Sequence, residues 1–190
     1  MILINIVSLR QALTDNSEVM RQPHDIYITS VNDHEINMKN IINDSIKTEV
    51  IHRIKKLDST TAAKWGKMNV NQMLCHCADQ LRLANGTKQS KFIGNFMLTT
   101  VFKWLSLTFL KAPRGKIETV KELKQGGGGT NPTNFDDDKK ALINLIRNFD
   151  ESFKTNKILI HPAFGKMNHW QYGRLAYVHL DHHLNQFGVR

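Results

Sequence analysis

The chain has 190 residues, 41% apolar and 23% charged, with 26 Lys plus Arg against 17 Asp plus Glu for a formal net charge of +9. That length suits one domain, or one domain with an appendage, burying about 70% of its unfolded surface, and the composition excludes a largely disordered chain. Two cysteines cannot staple a secreted scaffold; Cys75 and Cys77 lie two apart inside an expected helix, where their side chains diverge too far for a disulfide, so a reducing, cytoplasmic setting is expected.

Residues 1–37 hold two basic side chains, Arg10 and Arg21, and five acidic ones, Asp15, Glu18, Asp25, Asp33 and Glu35, for a net −3, which leaves +12 on residues 38–190. The apolar opening, Met1 to Leu9, lacks a basic leader and is interrupted by Arg10, so it is not read as an export signal. No sustained period follows before Met38. Residues 1–37 are therefore expected to be a poorly ordered extension, or an upstream addition to a product that starts at Met38.

From Lys39 the helical period dominates. Ile42, Ile46, Val50, Ile54 and Leu57 recur at spacings of four and three, which predicts a first helix to about Asp58. A second helix is expected from Asn69 to about Asn85, capped by Asn69 with Gln72 and stopped at Asn85-Gly86. Its core face is Val70, Met73, Leu74, Cys77, Leu81 and Ala84, with Cys75 pointing away. A third is expected over residues 91–110, apolar on most sides. Asn95, Lys103 and its Thr and Ser residues favour a buried or amphipathic helix over a membrane span. Pro113 and Gly126 to Gly129 predict a long linker with a flexible hinge, and no Gly-Lys-Ser/Thr follows to make it a phosphate loop.

A fourth helix is expected from Asn134, its first turn carrying Asp136, Asp137 and Asp138 where the dipole favours negative charge. Leu142, Leu145, Ile146, Phe149 and Phe153 supply its core face. The last runs from Asn168 to about Phe187. Five helices and no convincing strand predict an all-α fold.

Five of the nine histidines fall in the last thirty residues. On the last helix Tyr177, Leu180, Leu184 and Phe187 form the core face, His179 and His183 share one flank four residues apart, and His182 points toward solvent. A His-x-x-x-His pair can offer two imidazoles to one metal ion, although helix residues four apart also meet for other reasons. His76 occupies the corresponding flank of the second helix. If those two helices pack together, His76, His179 and His183 converge as three neutral ligands that leave positions open for water or substrate. Cys77 reads as a small core residue. Gly66-Lys-Met-Asn69 recurs as Gly165-Lys-Met-Asn168, each with Gln three residues after the Asn, which predicts a similar entry and cap for both ligand-bearing helices.

The stretch Trp65-Gly-Lys-Met-Asn-Val-Asn-Gln-Met-Leu-Cys-His76, with His161-Pro-Ala-Phe-Gly165 and His179-Leu-Asp-His-His183-Leu-Asn-Gln186, resembles the DinB/YfiT-like superfamily of metalloenzymes, closest to an uncharacterised branch ending in a similar His-rich helix. The resemblance covers about residues 38–190. It implies a four-helix bundle, His76, His179 and His183 as ligands of a divalent metal such as zinc or nickel, and transfer of a low-molecular-weight thiol to an electrophile in some members. The 91–110 helix and the linker after it are additions to that pattern. Gln80 and Gln186 could orient a ligand or water, or serve as surface or cap residues. Trp65, Trp104, Trp170 and Tyr177 read as core or pocket wall, and His161 as part of a turn.

Three functions compete. The first is an enzyme, transferase or hydrolase, using metal-activated thiol or water on a small molecule. The second is a non-catalytic metal- or ligand-binding bundle, which a closed fourth protein ligand would favour. The third and least favoured is nucleic-acid binding through Lys88, Lys91, Lys103, Lys111, Arg114, Lys116, Lys121 and Lys124. The sequence leaves a homodimer open.

Overall fold

The structure, a computed structural model, describes residues 38–108, 120–154 and 160–190. The expected extension over residues 1–37, the end of the third helix and the linker residues Lys111, Pro113, Arg114 and Lys116 lie outside the described residues.

Among the described residues five α-helices make the fold all-α: α1 Asp44–Lys55, α2 Val70–Ala84, α3 Lys103–Thr108, α4 Phe135–Arg147 and α5 His169–Gln186. The periodic residues of α1 meet the core as expected, with Val50, Ile54 and Leu57 buried and Ile42 and Ile46 packed against them. On α4, Leu142, Ile146 and Phe149 are buried, and the Asn134 side chain accepts from the backbone N–H groups of Asp136 and Asp137. Helices α2 and α5 begin alike: Asn69 with Gln72, and Asn168 with Gln171, each complete a reciprocal capping box. Their C-terminal ends turn at Gly86 and Gly188, both at positive φ.

Helix α2 lies at the centre. It packs most extensively on α4 and also on α5, while α1 packs on α4 and α5 and α3 on α5. Twelve of its fifteen residues are buried, so its wheel has no solvent face. That overturns the outward reading of Cys75, which is buried beneath the start of α4 beside Asp138. Burial, with the Asp138 carboxylate, pushes the Cys75 thiol up to about 12. Both thiols are free, and Cys77 packs in the core with its Sγ 3.7 Å from Met73 Sδ.

Helix α5 is clamped along its length. Arg53 of α1 donates to Asp181 Oδ1 at 2.8 Å and to the Val189 carbonyl at 3.2 and 3.1 Å. Arg174, wholly buried, donates to the carbonyls of Leu107 at 2.9 Å and Lys39 at 2.8 Å. Near its first turn His169 Nε2 lies 2.8 Å from Asp150 Oδ1, and Lys47 of α1 pairs with the same carboxylate. A buried guanidinium keeps its register only while these acceptors stay in place, so the clamps fix the rotation of α5 and thus where His179 and His183 point.

Three segments differ from the sequence reading. The helix expected from residue 91 is not formed through Asn95; helical backbone starts at Phe96, passes a π-helical turn at Leu98–Phe102 and becomes α3. The Ile93 N–H is taken by the Pro162 carbonyl at 2.8 Å, and the Asn95 side chain accepts from Leu98 N at 3.0 Å as a cap. A two-residue hairpin, β1 Ile160–His161 with β2 Gly165–Lys166, holds the other side of that contact, where no strand was expected. The glycine run is a closed turn rather than a hinge. Gly127 and Gly129 N–H groups donate to the Lys124 carbonyl, Gly128 N–H donates to the Lys121 carbonyl at 2.9 Å, and Lys88 Nζ donates to the Gly128 carbonyl at 3.1 Å. A Cβ on Gly128 would lie 2.8 Å from Glu122 Cα, so the close approach itself requires glycine.

Candidate metal centre

The packing of α2 beside α5 brings His76, His179 and His183 together, with one ring nitrogen of each lying within 4.8 Å of the others. His76 Nε2 is 3.0 Å from His179 Nε2, and the ring centroids are 4.6 to 4.9 Å apart in edge-to-face arrangements. Two ring nitrogens bound to one zinc at about 2.0–2.1 Å, at a tetrahedral angle, are ~3.3 Å apart. One pair is thus close to ligating separation, and the group has the chemistry of a three-imidazole site.

The outward nitrogens set the tautomers. His76 Nδ1 donates to the Leu123 carbonyl at 2.9 Å, and His183 Nδ1 donates to Gln186 Oε1 at 2.8 Å. Each proton on Nδ1 leaves the lone pair on Nε2, facing the other rings. His179 differs: its Nδ1 is buried and has no partner among the described residues. His179 Nε2 donates to His76 Nε2, because the latter has no proton to give.

All three rings are held neutral, the form in which imidazole is a ligand. Burial lowers His76 below the ordinary histidine range, and burial with the neighbouring His183 and His76 takes His179 well below it. Burial, then His76, brings His183 down to about 3.

Second contacts tie the group to the fold. Gln186, buried, receives His183 through Oε1 and donates through Nε2 to the Trp65 carbonyl at 2.6 Å. Gly66 follows at φ +84°, and a Cβ there would sit 2.5 Å from Gln186 Nε2. The orienting role is thus realised at Gln186, whereas buried Gln80, one turn after His76, leaves its Oε1 without a partner among the described residues. On the other side Leu123 belongs to the 3₁₀ turn Lys121–Leu123, which Asp79 reaches through Lys88: Lys88 Nζ also donates to the Gly128 carbonyl, and Gly128 N–H donates to the Lys121 carbonyl. The buried Asp79 carboxylate accepts from Arg82 at 3.0 Å, Lys88 at 2.8 Å, Thr130 N at 2.7 Å and Thr130 Oγ1 at 2.6 Å. Burial alone would raise it, but these donors outweigh burial and hold it below the usual carboxylate value.

Asp79, Leu123 and Thr130 were not foreseen. The available signal was the helix's one carboxylate, three residues after His76 and with Arg82 three further on. His182 is half-buried rather than solvent-facing, because Trp65 meets it edge-on at 6.1 Å between centroids. His161 ends β1 and its Nδ1 accepts from Ala163 N and Phe164 N at 3.2 and 3.1 Å, which makes it the organiser of the expected turn. Tyr177 is core. Trp104 and Trp170 wall a pocket of about 420 Å³ with Met38 and Leu107. That pocket lies at the Trp170 end of α5, nine residues and ~14 Å of helix from His179, so it is separate from the histidines. Among the described residues no helix is long and apolar enough to cross a membrane.

No curated protein and no solved structure matches the chain. Residues 41–190 match the family described as protein of unknown function (DUF1569), most of the chain's length, and the protein belongs to that family.

Proposed function

We propose that the protein is a divalent-metal enzyme with a DinB-like four-helix bundle, taking zinc or nickel on His76, His179 and His183 and acting on a small molecule, as a thiol transferase or a hydrolase. The observation that carries this reading is the convergence of three buried imidazoles, two with Nδ1 already engaged and Nε2 turned inward. Imidazole suits both ions. A divalent ion bound there supplies a lowered pKa for a thiol or water and holds it beside its target.

The chain's own residues set the rest. Leu123 and Gln186 fix ring orientation and tautomer; the surrounding core excludes bulk water and keeps the imidazoles unprotonated. Among the described residues no further His, Cys, Asp or Glu joins the group. That favours an open site over the closed, four-ligand structural site of a non-catalytic bundle. The nucleic-acid reading is weaker, since Lys88 is paired with the buried Asp79 carboxylate. The free, buried cysteines fit a reducing cytoplasm.

Elemental analysis of untagged protein tests the reading. About one zinc or nickel per wild-type chain is expected, falling at least tenfold in His76→Ala and His183→Ala. Equal, sub-stoichiometric metal in all three proteins would overturn it.

A further inference from the structure

The residues from Phe92 to Trp104 carry a concentration of exposed apolar side chains that the candidate metal centre does not use. Phe96 is 77% exposed and Trp104 61%, with Phe92, Ile93 and Phe102 about half exposed or more. Ile160 of the hairpin joins them, because the Ile93–Pro162 hydrogen bond lays the two segments side by side. Contiguous exposed aromatics of this kind mark an interaction surface rather than ordinary surface scatter.

We infer that this face is a docking surface for an anionic lipid bilayer. The charge around it selects that occupant. Of the four basic side chains in residues 80–108, Arg82 and Lys88 pair with Asp79, which leaves Lys91 and Lys103 beside the apolar run. Lys91 precedes Phe92, Lys103 sits within the apolar run, and Lys103 Nζ donates to the Lys166 carbonyl, which brings a third lysine to the rim. Among the described residues Glu122 is a nearby carboxylate; it accepts from Ser90 at 3.0 Å and faces Lys91, so Lys103 and Lys166 carry the rest of the positive rim. Aromatic side chains at headgroup depth with lysines beside them are the pattern of a protein that lies on a membrane. Anionic headgroups add an attraction for each lysine that neutral lipid does not. The 420 Å³ pocket walled by Trp104 and Trp170 opens on the same segment, so docking there would bring a membrane-derived molecule to this face rather than to the histidines.

The test uses the full chain with vesicles of phosphatidylcholine alone and of phosphatidylcholine with phosphatidylglycerol in equal parts, read by flotation and tryptophan emission. Binding to the anionic vesicles at least tenfold tighter than to the neutral ones, with a blue-shifted emission and weakening at high salt, is expected. Phe96→Ser and Phe96→Ser/Trp104→Ser should retain the wild-type circular dichroism while the double variant loses at least tenfold in vesicle affinity. Equal binding by wild type and the folded double variant, or no binding by wild type, overturns the inference. Self-association at micromolar concentration that the double variant abolishes, without vesicle binding, would also overturn it and assign the face to a second copy of the chain.

Discussion

Asp79→Asn separates the support of the centre from its ligands. The carboxylate is fully buried and receives four donors, two of them cationic. An amide of the same size keeps one acceptor oxygen and turns its NH₂ toward groups that themselves donate. Hydrogen bonds to charged partners are worth ~1.5–3 kcal/mol each and breaking a buried pair ~3–5 kcal/mol. Arg82 and Lys88 retain partial contact with water, their side chains being 29% and 18% exposed. The lower end, about 3 kcal/mol, is therefore expected. At ~3 °C per kcal/mol for a chain of this size, the metal-free protein should melt about 9 °C lower by circular dichroism. Loss of the Thr130 and Lys88 anchors also loosens the turn that presents the Leu123 carbonyl to His76, so zinc affinity measured by competition with a chelator should fall about tenfold. Asp137→Asn is the charge-matched control: its pairing with Lys140 at 3.8 Å is exposed and should change melting by under ~2 °C. A melting point within 2 °C of wild type would refute the anchoring argument. A lowered melting point with unchanged zinc affinity would refute the link from Asp79 to His76.

Gln186→Leu should keep the fold near its packing volume while leaving His183 Nδ1 without its acceptor, lowering zinc affinity ~10–100-fold; an unchanged affinity would remove Gln186 from the support of the site. Gly66→Ala meets both a positive φ and Gln186 Nε2, and should cost about 1–3 kcal/mol in urea denaturation together with a loss of zinc affinity. The histidines set an acid dependence for the metal-free protein. Their folded values lie below the unfolded one, so the unfolded chain binds more protons and stability falls as pH drops below about 6.5 toward the folded value. His183 alone, held near 3, should remove on the order of 1 kcal/mol between pH 7.5 and 5.5, and a flat urea midpoint over that window would contradict neutral burial. Asp79 is likewise held below its ordinary value, so its contribution is fully present above the ordinary carboxylate range and is lost as pH falls through that range toward the folded value.

The helices were legible where local chemistry decides them. Asn69 with Gln72 and Asn168 with Gln171 mark starts that the backbone obeys, and the four-residue steps of α1 and α4 identify sides that are in fact buried. Ligand candidates were legible for the same reason, since a helix spacing of four fixes His179 beside His183 without reference to the rest of the chain. What failed was anything decided by partners distant in sequence. Phe92 to Asn95 stays out of the helix because Ile93 bonds to Pro162, and the glycine run closes because Lys121, Lys124 and Lys88 engage it. Cys75 and His182 failed differently. A wheel divides a helix into core and solvent, but α2 is covered all round and Trp65 covers the outer flank of α5.

The same distinction explains why the ligands were easier to find than what orients them. A ligand histidine must lie on a helix that faces another, so periodicity constrains it. Its second nitrogen needs only an acceptor at hydrogen-bond distance, and the backbone carbonyl of any residue can serve. For His76 that acceptor is the Leu123 carbonyl, 47 residues away in a turn held by a chain of contacts through Gly128 and Lys88 to Asp79, on the same helix as His76 itself. For His183 it is Gln186, three residues on, which a side-chain reading could reach because the partner is local. The two supports therefore respond differently to substitution. Gln186 can be removed by one side-chain change, whereas no substitution at Leu123 deletes its carbonyl, so that support is reached through Asp79.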